Sequence, residues 1–210
     1  MKVSPMKMRR ILCHLAAAIA LQTASAGEAK LQVYREGDIV FSSAAAGQGG
    51  MIMAATGSSI THCGIIFLME GKPMVLEARQ PVGVSSLEQF KAHCKPGYFT
   101  ARRLKSPVSV ASLRVARTWA EAQIGKNYDA RFLWDDTNLY CSELVWKTYQ
   151  KAGVELCEPR HFRDYHLDEP RVRKVIEERF GSIEKLPMDE KVVAPSDLIM
   201  SPLLVEIPAN

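Results

Sequence analysis

The sequence predicts an α+β domain in which an antiparallel sheet packs against helices. Apolar and β-branched runs separated by turn signals fill the first half of the chain, and capped helical patterns followed by a short β tail fill the second. The 184 residues that follow the first 26 are enough for one domain with its own core. Residues 27–210 are therefore predicted to form a single domain.

The first 26 residues have the three-part layout of a secretory signal peptide. An apolar run over 11–21 is too short to cross a bilayer, which takes roughly 20 apolar residues, and Ala24-Ser25-Ala26 supplies the small residues of a cleavage site. The basic residues that precede the run are Lys2, Lys7, Arg9 and Arg10. We expect cleavage before Gly27 and a periplasmic mature protein, with a retained N-terminal anchor as the alternative.

The net charge of +4 comes from the predicted leader. The leader holds four of the 27 basic residues and none of the 23 acidic ones, so the remaining chain has 23 of each. No basic cluster and no second apolar run of membrane length follows. We therefore expect no nucleic-acid partner and no transmembrane segment in the mature chain.

Strand patterns dominate the part of the chain before residue 105. Residues 38–43 follow a turn signal and read as a strand, while the Ala, Gly and Met residues of 44–57 weakly favour a short helix. Residues 62–78 predict an antiparallel hairpin around the turn-forming quartet 70–73. A further strand is predicted around 99–104.

Three helical patterns follow these strands. The first begins after a cap at Ser109 or Ser112 and stops at Gly125. The second is predicted over 141–152 and the third over 171–180, and each is followed directly by a glycine.

Cys141 is the cysteine whose predicted position favours chemistry. It opens the second helix after the turn-prone segment 135–138, where unpaired backbone N–H groups and the helix dipole favour a thiolate. Those N–H groups can also hold a developing oxyanion. A cysteine nucleophile needs an imidazole, and His62, which opens the most apolar strand, is the best placed. On these local observations alone, a buried structural cysteine is the simpler interpretation.

Six segments in this order resemble the successive signature blocks of the permuted papain-like amidases. The similarity spans about residues 34–200 and is closest to the YiiX-like branch, relatives of the NlpC-type peptidases and of the lecithin:retinol acyltransferases. The segments are Gly37-Asp38-Ile39-Val40-Phe41, Thr61-His62-Cys63-Gly64-Ile65-Ile66, Val75-Leu76-Glu77-Ala78, Gly125-Lys126-Asn127-Tyr128-Asp129, Tyr140-Cys141-Ser142-Glu143-Leu144-Val145-Trp146 and Val193-Ala194-Pro195-Ser196-Asp197-Leu198.

The resemblance implies a circularly permuted papain-like (NlpC-type) fold, in which the histidine precedes the nucleophile along the chain. It implies that Cys141 is the nucleophile, His62 the general base and Glu77 the residue that orients the imidazole. If the hairpin turn centres on Gly71-Lys72, Glu77 pairs near Ile66, at some distance from His62, whereas a wider or bulged turn would bring Glu77 opposite His62. A strand-edge carboxylate is the alternative for Glu77.

The residues around the nucleophile are the candidates for oxyanion and substrate binding. The resemblance places Tyr128 beside the nucleophile, where its hydroxyl can assist the oxyanion, although core packing explains it almost as well. Tyr140 and Ser142 flank Cys141 and complete this candidate set.

The other cysteines have simpler explanations. Cys63 points to the opposite side of its strand from His62, so we expect it to fill the core. The repeated His-Cys dipeptide invites a zinc site built from His62, Cys63, His93 and Cys94, but adjacent strand residues make poor paired ligands. We expect neither a metal nor another cofactor. Cys94 and Cys157 lie in turn-rich segments and are candidates for a disulfide.

These observations favour a hydrolase that cleaves an amide or ester bond through a Cys141 thioester. Apolar residues before His62 favour a small or lipid-like acyl substrate, although core packing explains the same residues almost as well. They are Ala44, Ala45, Ala46, Met51, Ile52, Met53, Ala54 and Ala55. A murein peptide endopeptidase, a non-catalytic acyl- or peptide-binding protein and a disulfide-stapled structural protein are the alternatives, and acyl transfer to another acceptor stays open.

Overall fold

The structure, a computed structural model, describes residues 34–44 and 48–208. The predicted leader 1–26, its cleavage site before Gly27, and Ala45 and Ala46 lie outside the described residues, as does the side chain of Ala44.

A six-stranded sheet forms the centre of the described chain, and all its neighbouring strands run antiparallel. Along the sheet the order is β4-β3-β2-β1-β5-β8. The strands are β1 Ile39–Ala44, β2 His62–Met69, β3 Lys72–Ala78, β4 Val82–Ser86, β5 Cys94–Leu104 and β8 Leu204–Glu206. Two short strands, β6 Arg160–His161 and β7 Lys191–Val192, pair with each other outside it.

Both faces of the sheet are buried, which explains why β2 reads as a continuous apolar run. Ile65 and Phe67 face a core shared with the helices, whereas Ile66 faces a second core on the opposite side. The first core also receives Leu144 and Tyr149 from the helix that begins at Cys141. That helix therefore lies directly against β2.

Six α-helices surround the sheet in the described chain. They are α1 Gly49–Thr56, α2 Leu87–Ala92, α3 Val110–Glu121, α4 Cys141–Lys151, α5 Pro170–Phe180 and α6 Pro195–Ile199. Short 3-10 turns occupy Phe162–Asp164 and Ile183–Lys185. A third apolar cluster joins α1 to α5 through Met51, Ile52, Val172 and Ile176, and it borders the site described below.

The α+β architecture and each predicted element are confirmed, with shifted bounds. The hairpin turn consists of Glu70 and Gly71, both in the left-handed region (φ 51° and 74°), as a two-residue turn requires. The helix α3 uses Ser109 as its cap and ends at Glu121, well before Gly125. The strand β5 is longer than predicted because it pairs with both β1 and β8.

Two elements were missed between residues 82 and 92. The strand β4 carries little apolar alternation, and the helix α2 is only six residues long. Ser86 and Gln89 form a capping box at the start of α2, a signal that the sequence does contain.

Candidate active site

Cys141 is the first residue of α4. Tyr140 precedes it in extended conformation, and the Glu143 carboxylate accepts a hydrogen bond from the Tyr140 backbone N–H at 3.4 Å. Only 2% of Cys141 is exposed. The thiol therefore lies in a desolvated position at the positive end of a helix, where the first-turn N–H groups have no partner within the helix.

His62 and Glu77 form a buried pair on two neighbouring strands. The His62 Nε2 atom lies 2.6 Å from the Glu77 Oε2 atom. Because Nε2 is engaged by the carboxylate, Nδ1 is the ring nitrogen left for the Cys141 sulfur. The His62 ring also stacks on Phe90, with 5.7 Å between centroids, which fixes its plane.

The hairpin register corrects the expectation that Glu77 pairs near Ile66. Ile65 pairs with Leu76, so Glu77 falls beside Gly64, two residues from His62 and on the same face of the sheet. A Cβ atom on Gly64 would lie 2.5 Å from Val75 Cγ1 and 3.2 Å from Glu77 Cβ. The missing side chain at Gly64 therefore leaves Glu77 room to reach diagonally to the imidazole.

Glu77 has two further donors that the sequence analysis missed. Ser85 Oγ donates to Glu77 Oε1 at 2.6 Å, and Arg79 Nε donates to Glu77 Oε2 at 2.8 Å. Burial raises the pKa of this carboxyl, but His62, Ser85 and Arg79 outweigh burial and lower that pKa to about 2. Glu77 is therefore ionised at neutral pH. We call His62, Glu77, Arg79 and Ser85 the polar corner.

The thiol and the imidazole shift each other's ionisation. Burial alone lowers the pKa of His62, but the Cys141 sulfur and Glu77 outweigh it and raise that pKa to about 9. The pKa of Cys141 lies well below its ordinary value because the Cys63 thiol donates to the sulfur and the His62 imidazolium faces it, against the effect of burial. Both shifts favour a thiolate–imidazolium pair at neutral pH.

Cys63 contacts the site although its side chain points away from that of His62. It is fully buried in the same apolar cluster as Cys141, as a core filler should be. Burial and the Cys141 sulfur raise the pKa of Cys63 well above its ordinary value, so the Cys63 thiol stays protonated and can act as a hydrogen-bond donor to the Cys141 sulfur. Strand alternation does not indicate this contact, because alternation relates Cys63 only to its own strand and not to the helix packed on that strand.

Tyr140 and Ser142 hold the first turn of α4 against the segment after β7. Ser142 Oγ donates to the Val193 carbonyl oxygen at 2.6 Å, and the Tyr140 hydroxyl accepts from the Val193 N–H at 3.2 Å. Both hydroxyls are thus engaged with Val193. The Tyr140 backbone N–H already donates to Glu143, so the main-chain N–H of Ser142 is what this pair offers to an oxyanion.

Tyr128 is half-buried close to Cys141 and Cys63. Burial, followed by the Cys141 and Cys63 sulfurs, raises the pKa of its phenol well above the ordinary value, so the hydroxyl keeps its proton. Its ring meets Phe132 edge to face, with 6.4 Å between centroids. The protonated hydroxyl can therefore act as a neutral hydrogen-bond donor.

An apolar cavity of about 710 Å³, including its open mouth, reaches Cys141 and Ser142. Met51, Ile52 and Ala55 of α1 line it, as the apolar segment before His62 predicts, whereas Met53 and Ala54 do not. The opposite wall comes from Val172, Val175, Ile176, Arg179 and Phe180 of α5. The predicted oxyanion residues Tyr140 and Ser142 lie in this lining, while Tyr128 lies beside it.

The predicted Cys94–Cys157 disulfide is absent, and both thiols are free in the structure. Cys94 packs in the cluster on one face of the sheet and Cys157 in the cluster on the other, so the sheet separates them.

Within residues 34–44 and 48–208, no three His, Cys, Asp or Glu side chains converge to hold a metal ion. The described helices include none with the length and apolarity to cross a bilayer.

Comparison with known proteins gives one consistent family. A family model described as "Permuted papain-like amidase enzyme, YaeF/YiiX, C92 family" matches residues 33–207. The uncharacterized protein YiiX of Escherichia coli (strain K12) is 34% identical over 172 residues, which cover 81% of this chain and 84% of that protein. A crystal structure described as metalloprotein yiiX from Escherichia coli O157:H7 (DUF1105) superposes with a TM-score of 0.79 at 33% identity, covering 85% of this chain and 99% of that one. The donor set of the residues described here does not fit a metal site.

Proposed function

The chain belongs to the YaeF/YiiX family of permuted papain-like amidases, and from that premise we propose that it is an exported cysteine hydrolase acting on an acyl amide or ester through a Cys141 thioester. Cys141 acts as nucleophile, His62 as proton carrier and Glu77 as the residue that orients His62. The observation that carries the proposal is that a low-pKa thiol beside the His62–Glu77 pair borders an apolar cavity.

In the acylation step, the Cys141 thiolate attacks the carbonyl carbon of the substrate. The carbonyl oxygen becomes an oxyanion, held by the N–H groups of the first turn of α4 and by the Tyr128 hydroxyl. The His62 imidazolium then gives its proton to the leaving amine or alcohol as the C–N or C–O bond breaks. The acyl group remains on Cys141 as a thioester, and His62 is neutral.

In the deacylation step, neutral His62 takes a proton from water as the water oxygen attacks the thioester carbon. The second oxyanion collapses, the C–S bond breaks, and the acid leaves with the sulfur again a thiolate. Glu77 stabilises the imidazolium that forms and fixes the ring so that Nδ1 faces the sulfur. Both His62 and Cys141 return to their starting charges.

The cavity supports a lipid-like acyl group as the part of the substrate that is recognised. Met51 gives one wall an adaptable surface, and Val172 and Ile176 give the other a branched one. A cross-linked murein peptide would present polar groups to these walls, which offer them few partners.

Export follows from the sequence of residues 1–26, with its basic start, apolar run and Ala24-Ser25-Ala26 site. We place the mature enzyme in the periplasm. Mass spectrometry of material from the periplasmic fraction should find Gly27 at the N-terminus, and an intact Met1 on membrane-bound material would contradict this.

Hydrolysis by the mature chain tests the catalytic proposal. We expect it to cleave N-lauroyl amides and lauroyl esters, to leave murein tripeptides intact, and to accumulate a lauroyl adduct on Cys141 in rapid-quench mass spectrometry. Cys141→Ala should abolish cleavage, whereas Cys157→Ala, which removes a thiol outside the cavity, should retain it. Cleavage of murein peptides alone would assign the site to a peptidase, and ligand binding without an adduct would make the chain a binding protein.

A further inference from the structure

Most polar side chains in the cavity lining are already bound by the chain itself. Thr56 Oγ1 donates to the Ile52 carbonyl oxygen at 2.7 Å, and the Tyr165 hydroxyl donates to the Asp197 carboxylate at 2.6 Å. The hydroxyls of Tyr140 and Ser142 bind Val193, as described above. A ligand therefore meets few free hydroxyl groups on these walls.

Two arginines are the exception. The Arg179 Nη1 group donates to the Ala130 carbonyl oxygen and, at 3.4 Å, to Gln48 Oε1, which are both neutral acceptors. The Arg131 guanidinium lies over the Phe180 ring, 4.6 Å from its centroid. Neither arginine forms an ion pair within the described residues, and no Asp or Glu belongs to the cavity lining there.

Two acids act electrostatically on Arg179 without forming an ion pair with it: Glu178, its neighbour in the chain, and Asp129. The Asp129 carboxylate is occupied by the main chain, since it accepts the backbone N–H groups of Arg131 at 2.8 Å and Leu133 at 2.6 Å. Arg179 is half-buried, and burial lowers its pKa. A partly desolvated cation without a direct ion pair is costly, and an anionic ligand would reduce that cost.

Arg179 also has a suitable position relative to the thiol. It lies three residues after Ile176, on the same face of α5, so the apolar wall continues directly into the guanidinium. Cys141 and Arg179 both line this cavity. One ligand can therefore place a reacting carbonyl at Cys141 and a charged group at Arg179.

We propose that the substrate joins its acyl chain to a carboxylate-bearing head group bound by Arg179 with the help of Arg131, so that N-acyl amino acids are favoured over neutral amides. This inference rests on the proposed hydrolase, because it concerns the ligand of the same cavity. The acyl chain lies between α1 and α5, and the amino-acid carboxylate receives the guanidinium hydrogen bonds.

A matched pair of substrates isolates the head-group charge. N-lauroylglycine and N-lauroylglycinamide share an acyl chain and differ in a carboxylate against a neutral amide. We expect the wild-type kcat/KM to favour the glycine compound by about tenfold or more, mostly through KM and less strongly at high salt. Arg179→Gln should bring the ratio close to one, and Arg179→Lys should restore part of it.

Arg173→Gln is the control, since Arg173 lies on the same helix, is exposed, pairs with Asp168 at 2.8 Å and does not line the cavity. In Arg173→Gln, the ratio of kcat/KM for N-lauroylglycine to that for N-lauroylglycinamide should equal the wild-type ratio. Melting temperatures check that each variant folds, and if Arg179→Gln does not fold, Arg131→Gln should lower the ratio in its place. Equal kcat/KM for the two compounds in the wild type, or an unchanged ratio in Arg179→Gln, would overturn the inference and leave the hydrolase intact.

Binding without turnover separates this inference from the proposed function. Calorimetry on the Cys141→Ala variant should show tighter binding of N-lauroylglycine than of N-lauroylglycinamide, and Arg179→Gln added to it should remove the difference. If this preference is found while the wild type cleaves neither compound, the hydrolase is wrong and the head-group inference stands. Equal binding of both compounds would refute the head-group inference.

Discussion

The polar corner and the apolar cavity meet at Cys141 but are built in opposite ways. In the corner, Glu77 alone receives hydrogen bonds from His62, Ser85 and Arg79, and the register of two strands sets its position. The cavity walls come from α1 and α5, which meet through apolar side chains in a cluster separate from the two sheet cores. One region is held by directional bonds and the other by dispersion and burial.

Because of this difference, we expect the polar corner to govern the reaction and the cavity walls to govern which substrate binds. A hydrogen-bonded carboxylate loses its function when one partner is removed, because the remaining buried groups are left unsatisfied. Apolar walls tolerate volume-conserving changes at a cost usually below about 1.5 kcal/mol. Changes in the corner should therefore abolish the reaction, and changes in the walls should alter which substrate reacts.

His62→Ala should have the largest effect. Without the imidazolium the thiol returns towards its ordinary pKa, so labelling of Cys141 by stoichiometric iodoacetamide at pH 6 should slow by roughly 100-fold, and kcat/KM should fall by roughly 10⁴-fold. In the wild type, Cys141 should react ahead of Cys63. Ile176→Val, a change in the cavity wall, is the control and should leave the labelling rate unchanged. Equal labelling of wild type and His62→Ala would contradict the catalytic pair.

Glu77→Gln should reduce kcat by about 10³-fold while changing KM little, because the amide cannot stabilise the imidazolium or hold its ring orientation. Steady-state kinetics measure this split. The control is Glu121→Gln, which alters a carboxylate paired with Arg117 on α3, outside both the corner and the cavity lining. A rise in KM alone would show that Glu77 binds substrate instead.

The pH profile should show the same dependence. The His62 pKa of about 9 lies above its ordinary 6.5, so the imidazolium is present below pH 9 and is lost above it, and activity should fall about tenfold per unit there. In Glu77→Gln this limb should move to lower pH, since a cause of the raised pKa is gone. The pKa of Glu77 is lowered to about 2, so the contribution of its carboxylate to the stability of the folded protein is complete above about pH 4.5 and is lost as the pH falls towards 2. A limb that stays in place in the variant would refute the coupling.

Gly64→Ala should destabilise the fold by about 1–3 kcal/mol in urea unfolding, because the added methyl meets Val75 and Glu77. It should also lower kcat by displacing Glu77 from His62. Gly83→Ala on β4 is the control, since a methyl there comes only to 3.9 Å from the Pro81 carbonyl oxygen. Similar losses in the two variants would mean that the effect comes from strand glycines in general.

Cys63→Ala should give the smallest effect. The Cys63 thiol is a weak donor, so its loss should slow labelling of Cys141 at pH 6 by about threefold to tenfold. Cys63→Ser, which keeps a donor, should recover most of the rate. If Ala and Ser at this position behave alike, the contact is only packing.

Only some residues of the polar corner and only one wall of the cavity can be predicted from the sequence, and the reasons differ. His62 and Cys141 are predictable because each opens an element and because the surrounding motifs resemble a family. The contact between His62 and Glu77 depends on whether the turn is Glu70-Gly71 or Gly71-Lys72, and a one-residue change in the turn alters which residues face each other. Glu70 adopts a left-handed conformation, and this identifies the turn as Glu70-Gly71.

Ser85 and Arg79 were missed because β4 has no clear alternation and because a donor to a carboxylate leaves no sequence pattern. The wall from α1 was predicted from its composition, whereas the wall from α5 was not, since α5 lies more than 100 residues further along the chain. Its apolar stripe was recognised as helical, but the surface that it faces depends on tertiary packing.

Val193 binds Tyr140 and Ser142 at the first turn of α4 through its main-chain N–H and C=O, while its side chain is buried in the apolar cluster that also holds Leu144. The two hydrogen bonds use backbone atoms, so they are kept by any side chain that fits the same apolar space. The next two residues, Ala194 and Pro195, line the cavity. Changes in their size can therefore alter which ligand fits while the two bonds continue to hold the start of α4.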